Sequence, residues 1–414
     1  MAAKKPAPQK AVSKKIVKSA PKKVTPAKVV AKPAPKKEVE KPVAKKAVAK
    51  PAPKKVAAKP TPKVVAKPAA KKVVAKPVSK VVAKPVAKKA TAKPVERVTV
   101  NWMTLEEAME KSKTEKRKIF VDVYTSWCGW CKHMMKTTYS EPDLAQYINN
   151  YFYPVKFNAE GKDTIEFLGK VYKPTSAAPK SPHELAVKML NGSLSYPSTI
   201  FMSGFDATKN EFRLNMLAAG YLDRQKIEPM LVFTLENVFR NAGYEDFRVR
   251  FEESFRDSTL DERSKKLKWL TPKEAFNQKD VSKKKTLVLI NTDWCNSCRV
   301  MKRTSFIQPE VFSYADSTFR FVDFNPELKD TLYFQGQVLI NPSTQQMPFH
   351  QLSMALTKNN MVLPTMALLD ENNQLLDAIP FYLGPDVMRK VLYYYGEDIY
   401  KTKTWADYSA TFKE

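Results

Sequence analysis

The sequence predicts an α/β protein in which two consecutive copies of one folded unit follow a long basic tail. Three observations carry this expectation: a repeat of constant offset, a strand, Cys-x-x-Cys, helix pattern in each copy, and an abrupt change of composition near residue 97. At 414 residues the chain is too long for one ordinary domain of about 100–200 residues. Two folded units are therefore the starting expectation.

The tail comes first. Residues 1–97 hold 30 Lys and Arg against three acids, Glu38, Glu40 and Glu96, a net of +27 out of the chain's +29, so the other 317 residues carry only +2. The same stretch has no Gly, Cys or aromatic residue, and it repeats units such as Val65-Ala66-Lys67-Pro68 and Val74-Ala75-Lys76-Pro77. With nothing large to bury, it cannot offset the entropy cost of ordering, and a disordered, extended tail is expected. Its prolines favour polyproline II, and its like charges repel. No uninterrupted apolar segment of 7 to 15 residues follows Lys4 and Lys5, as a secretory leader would require. Nor does any run suit a membrane span. The address expected from these features is cytoplasmic.

The repeat follows. Adding 167 to a position carries Trp102 onto Trp269, Thr104 onto Thr271, Ala108 onto Ala275, Trp127 onto Trp294 and Pro142 onto Pro309. It goes on through Phe157-Asn158 to Phe324-Asn325, Asp163-Thr164 to Asp330-Thr331, Gly169 to Gly336, His183 to His350 and Pro197 to Pro364. So long an ungapped series implies duplication. The expected units are residues 98–255 and 256–414. Each opens with a capping-box pattern, Thr104 with Glu107 and Thr271 with Glu274, the second with Pro272 at the first helical position. Each should begin with a helix.

The four cysteines form two pairs, Cys128/Cys131 and Cys295/Cys298. Cys-x-x-Cys spacing reads either as half of a zinc site or as a redox motif. Context separates the two. Residues 118–124, Lys-Ile-Phe-Val-Asp-Val-Tyr, read as a strand before the first pair, and Met134 and Met135 suit a helix after it. Leu287-Val288-Leu289-Ile290 and Met301 repeat this around the second pair. A strand that feeds Cys-x-x-Cys into a helix is the redox context.

With Trp127-Cys128-Gly129-Trp130-Cys131-Lys132 after a strand and Tyr196-Pro197-Ser198-Thr199 downstream, the chain resembles the thioredoxin superfamily. Within it, the chain is similar to the Trp-Cys-Gly-Trp-Cys thioredoxin-like proteins common in bacteria. The resemblance covers residues 99–240 and 266–400. It implies two tandem thioredoxin folds, each a central mixed sheet flanked by helices, with Pro197 and Pro364 as cis-prolines beside the Cys pairs. Sixty-nine residues separate first Cys from proline in both copies, more than in a minimal thioredoxin, so insertions are expected near residues 160–192 and 327–359.

The chemistry follows from those parts. A Cys at a helix N-terminus is favoured as thiolate by free amides and the helix dipole, which makes Cys128 and Cys295 the expected nucleophiles. Cys131 and Cys298, one turn on, are the expected resolving thiols that release substrate from the mixed disulfide. The resemblance assigns substrate contact to Tyr196 and Leu363, just before the prolines, and Trp127, Trp130 and Trp294 flank the pairs. It also assigns Asp122 the role of the buried proton acceptor. Leu289 stands there in the second copy, and Gly129-Trp130 is replaced by Asn296-Ser297, so different reduction potentials are expected. The paired His183 and His350, and His133, are read as structural or incidental.

Three function classes stay open: a thiol–disulfide oxidoreductase that reduces or isomerises protein disulfides, a nucleic-acid-associated protein, and a thioredoxin-fold binding module. The first leads. No Gly-rich dinucleotide fingerprint occurs among the 10 Gly, so no cofactor is expected and electrons should come from a separate thiol reductase. The Lys/Ala/Pro tail resembles those of linker histones and bacterial histone-like proteins. It is expected to hold DNA or another polyanion without reading sequence, which would bring the protein to the nucleoid. A charged spacer is the alternative.

Deleting residues 1–97 should abolish DNA binding in a filter or anisotropy assay and leave thiol chemistry unchanged. Binding by the full chain should fall steeply between about 50 and 200 mM salt. Equal binding by the shortened chain would move the site to the folded units.

Overall fold

A computed structural model describes residues 98–206, 208–277 and 283–412; the tail expected over 1–97 lies outside them. The first copy opens with α1 (Leu105–Thr114), β1 (Lys118–Tyr124) and α2 (Gly129–Lys136), followed by α3 (Pro142–Tyr151) and β2 (Phe152–Asn158). A hairpin of β3 (Ile165–Phe167) and β4 (Lys170–Tyr172) leads to α4 (Glu184–Met189). The copy ends with β5 (Ser198–Met202), β6 (Leu214–Ala219), α5 (Arg224–Leu235) and α6 (Tyr244–Arg256).

After α7 (Thr259–Ser264) the pattern returns as β7 (Trp269–Leu270), α8 (Pro272–Phe276), β8 (Lys285–Ile290), α9 (Asn296–Val300), α10 (Pro309–Thr318) and β9 (Phe319–Phe324). A second hairpin, β10 (Leu332–Phe334) with β11 (Gln337–Leu339), precedes α11 (Gln351–Leu356). Then come β12 (Thr365–Leu369), β13 (Leu375–Pro380), α12 (Pro385–Gly396) and α13 (Trp405–Thr411). The two insertions expected from the long Cys-to-Pro spacing are these hairpin-plus-helix segments.

Both sheets are mixed. In the first, ordered β2-β1-β5-β6, β1 runs parallel to β2 and antiparallel to β5. The second, β13-β12-β8-β9-β7, repeats that order and adds the two-residue β7 at its edge. The central strands are buried on both faces and so read as continuous apolar runs, not alternating ones. Ile119, Val121 and Val123 point into one core, whereas Phe120 points into the other with Met134 of α2. Asp122 shares the Phe120 face by the two-residue period of a strand. Both capping boxes are formed at the expected residues.

Beyond the prolines the offset falls from 167 to 161, because the link between β5 and β6 is six residues longer than that between β12 and β13. On the new offset α5 matches α12 and α6 matches α13. The expected boundary at 255/256 falls inside α6. Val232, Phe233, Phe247 and Phe251, from α5 and α6, belong to the same cluster as Leu287 and Leu289 of the second sheet and Tyr382 just after it. The first copy's last helices therefore help to build the second copy's core, and full burial of Phe247 contributes about 2 kcal/mol.

His183 and His350 begin the inserted helices. Nδ1 of each accepts the N–H two residues on, at 3.1 and 3.0 Å, and Nε2–H donates to the carbonyls of Asp163 and Asp330. Burial pulls the His350 imidazole below its ordinary value of 6.5. The folded state thus prefers neutral His350, so its contribution is full above the ordinary value and is lost as pH falls from there through the lower folded value. Urea unfolding from about pH 7.5 to about 5.5 should show a larger loss for wild type than for His350→Asn, which caps without titrating. Equal losses would contradict this role.

Candidate redox site

β1 ends at Tyr124, and the chain turns so that Cys128 caps α2. Its Sγ accepts the Cys131 amide at 3.0 Å, and the two sulfurs are bonded as a disulfide across a Cα separation of 5.3 Å. Cys295 caps α9 in the same way, its Sγ taking the Cys298 amide at 3.2 Å, and those sulfurs are bonded too. Each pair closes on itself within its own copy. Among the described residues no three His, Cys, Asp or Glu side chains converge as metal ligands.

Around the first pair the structure gathers two aromatic walls. On one side Trp127, 53% exposed, meets Tyr196 edge-on at 6.2 Å, and its Nε1 donates to Glu160 at 2.9 Å. On the other, Trp130, 62% exposed, lies 5.6 Å from His133 and 5.5 Å from Tyr221. Rings this exposed are costly to leave in water unless something binds them, so both walls have the character of a docking surface. The Tyr196–Pro197 and Leu363–Pro364 peptide bonds are cis. Both prolines are buried, and Tyr196 and Leu363 remain half-buried.

Around the second pair the picture changes. Trp294 stays exposed and donates to Glu327 at 3.2 Å, which repeats the Trp127–Glu160 bond. Ser297, where the first copy has Trp130, is fully buried. The ring that makes the second wall in the first copy therefore has no counterpart at that position.

Asp122 is buried beneath α2 and paired with Lys156 at 2.6 Å, with the Tyr139 hydroxyl at 3.4 Å. Burial pushes its carboxyl above the ordinary carboxylate range, against the pull of Lys156 and the Tyr139 bond. A buried carboxyl held above its ordinary range is suited to taking up a proton. In the second copy Leu289 fills the Asp122 position, but an acid reappears one strand over. Asp323, the counterpart of Lys156, pairs with Lys302 and accepts from Asn291 at 2.6 Å. The pair is moved outward, because the Asp323 side chain is 37% exposed against 1% for Asp122.

Sequence reasoning missed Glu160, Tyr221, Lys156 and Asp323, and set His133 aside. Glu160 falls on Glu327 at offset 167, a match that marks it. Tyr221 lies past the slip in offset and carried no signal.

Residues 85–225 match one family, described as "Thioredox_DsbH: Protein of unknown function, DUF255", which covers the first copy only. No curated protein sequence matches the chain. Among solved structures it is similar to a DsbH oxidoreductase, at 15% identity over 32% of this chain and 81% of that one, with a TM-score of 0.22. It is also similar to a putative disulphide-isomerase from Bacteroides thetaiotaomicron, at 19% identity over 34% and 93%, TM-score 0.24. A thioredoxin from Thermus thermophilus gives 16% identity over 32% and 85%, TM-score 0.24. The strand order, the strand-to-helix Cys-x-x-Cys turn and the cis-proline before β5 are those of a thioredoxin-like fold. No helix among the described residues is long and apolar enough to cross a membrane.

Breaking a buried ion pair from one side leaves an uncompensated charge. Lys156→Met should therefore lower urea-measured stability by about 3 kcal/mol, and adding Asp122→Leu should restore most of it, as Leu289 is accommodated at that place in the second copy. No recovery in the double variant would contradict the pairing.

Proposed function

We propose that the protein is a thiol–disulfide oxidoreductase that reduces or isomerises protein disulfides through Cys128 and Cys131. The observation that carries this reading is the Cys128–Cys131 pair at the start of α2 between two exposed aromatic walls. In the reduced protein the Cys128 thiolate attacks a substrate disulfide; that bond breaks and one substrate sulfur leaves as a thiol. Cys131, losing its proton toward Asp122, then attacks Cys128 Sγ, forms the Cys128–Cys131 disulfide and expels the second substrate thiol. Two electrons pass to the substrate. A separate dithiol reductase returns them, so the chain needs no cofactor of its own.

Trp127, Trp130, Tyr196 and Pro197 hold the substrate segment in this reading, with Trp294, Leu363 and Pro364 as their second-copy counterparts beside Cys295 and Cys298. A nucleic-acid-associated role is favoured by one observation, the +27 carried by residues 1–97, and it is compatible with redox chemistry in the folded units.

Full-length protein should catalyse reduction of a disulfide substrate by dithiothreitol. Cys128→Ser should lose at least about 90% of that rate, since the attacking sulfur is gone. Cys131→Ser should accumulate mixed disulfides on non-reducing gels. Wild-type activity in the Cys128→Ser, Cys295→Ser double variant would overturn the assignment.

A further inference from the structure

In the first copy the flank of α2 beside the disulfide is open: Trp130 and His133 are exposed and Tyr221 is half-buried. Their second-copy counterparts, Ser297, Val300 and Tyr382, are each 0% exposed. The cover comes from the first copy. Phe247 of α6 meets Tyr382 edge-on at 5.2 Å, and Arg299 lies 4.8 Å over the Phe255 ring. Just past α5, Asn241 donates to the Pro380 carbonyl at 2.9 Å.

Glu236, which ends α5, sits at the centre of this contact. Its carboxylate accepts the amides of Asn296 at 3.1 Å and Ser297 at 2.7 Å, and Cys295 Sγ lies 3.7 Å from Oε2. The fold does not impose that reach. Glu397, the counterpart of Glu236 at offset 161, takes the Tyr314 hydroxyl of its own copy at 2.7 Å.

We infer that Glu236 is a positioning residue that docks the first copy onto the second Cys pair and keeps the Cys295–Cys298 disulfide masked. Substrate exchange then belongs to Cys128 and Cys131, and the second pair exchanges only when α5 and α6 lift away. Two effects act together. The helices exclude an attacking thiol from the flank of α9, and Glu236 occupies amides that a Cys295 thiolate would otherwise use, which favours the disulfide over the dithiol. The inference rests on the redox reading in taking both pairs as exchange-competent sulfur.

The test uses oxidised full-length protein and dithiothreitol. A reagent thiolate attacks one sulfur of a pair and the protein S–S bond breaks, releasing the partner sulfur; the reagent's second thiol then closes its ring and expels the attacked sulfur, so two electrons reach the pair. Quenching with iodoacetamide and reading each pair by peptide mass spectrometry gives separate rates and equilibria. Wild type should reduce the first pair at least about tenfold faster than the second, the ratio set by local opening of the contact.

Glu236→Ala should raise the second pair's rate about tenfold and leave the first pair, the internal control for folding, unchanged. By freeing the two amides it should also shift the second pair's equilibrium about tenfold toward dithiol, or about 30 mV upward, a change that loosened packing alone would not produce. Should that variant fail to fold, Asn241→Ala is expected to raise the second rate about threefold. Equal rates for the two pairs in wild type, or a second pair slowed or unmoved by these variants, would overturn the inference. A slowed pair would make Glu236 a base that activates Cys295. Because the reductant is dithiothreitol, the outcome is separate from whether Cys128 acts on proteins.

Discussion

Everything reactive in this chain depends on one local constraint: a strand buried on both faces must turn directly into a helix whose capping atom is a cysteine sulfur. The buried strand fixes the position of the turn, and the helix sets the second sulfur one turn on, within bonding reach. A Cys at that cap is a hydrogen-bond acceptor for the fourth residue's amide, and in the proposed reading it is also the atom that exchanges. The proline opposite and the tryptophans beside it matter only because this turn is held still.

The same constraint operates twice, with different surroundings. In the first copy the turn faces outward between Trp127 and Trp130. In the second, α5 and α6 of the preceding copy close over one flank, and the buried Phe247–Tyr382 contact makes that closure part of the hydrophobic core. The two copies share the geometry of the turn, whereas packing between them covers one flank of the second. The acid beneath the helix follows the same logic, deeply buried as Asp122 in one copy and shifted outward to Asp323 in the other.

Local features were legible in the sequence because they are written in short spacings. The capping boxes at Thr104 and Thr271, the Cys pairs and the prolines 69 residues on all depend on neighbours in the chain. What escaped is long-range. Glu236 lies 59 residues before Cys295, and nothing in spacing or composition marks a glutamate at a helix end as the partner of another copy's amides. Tyr221 and Tyr382 were hidden for a different reason. They lie beyond the six-residue length difference in the β5–β6 link, so offset 167 no longer aligns them. The expected junction at 255/256 falls inside α6, whose Phe247 and Phe251 pack with residues of the second copy, and apolar periodicity cannot say which core a helix joins.

The central claim is that two Cys-x-x-Cys turns of the same capping geometry are made unequal by what packs on them. The most direct measurement is the alkylation rate of each thiol in fully reduced, full-length protein, resolved by residue. Cys128 should react first and fast, with Cys295 slower by at least about tenfold while the copies stay docked. Comparable rates for Cys128 and Cys295 would contradict the account.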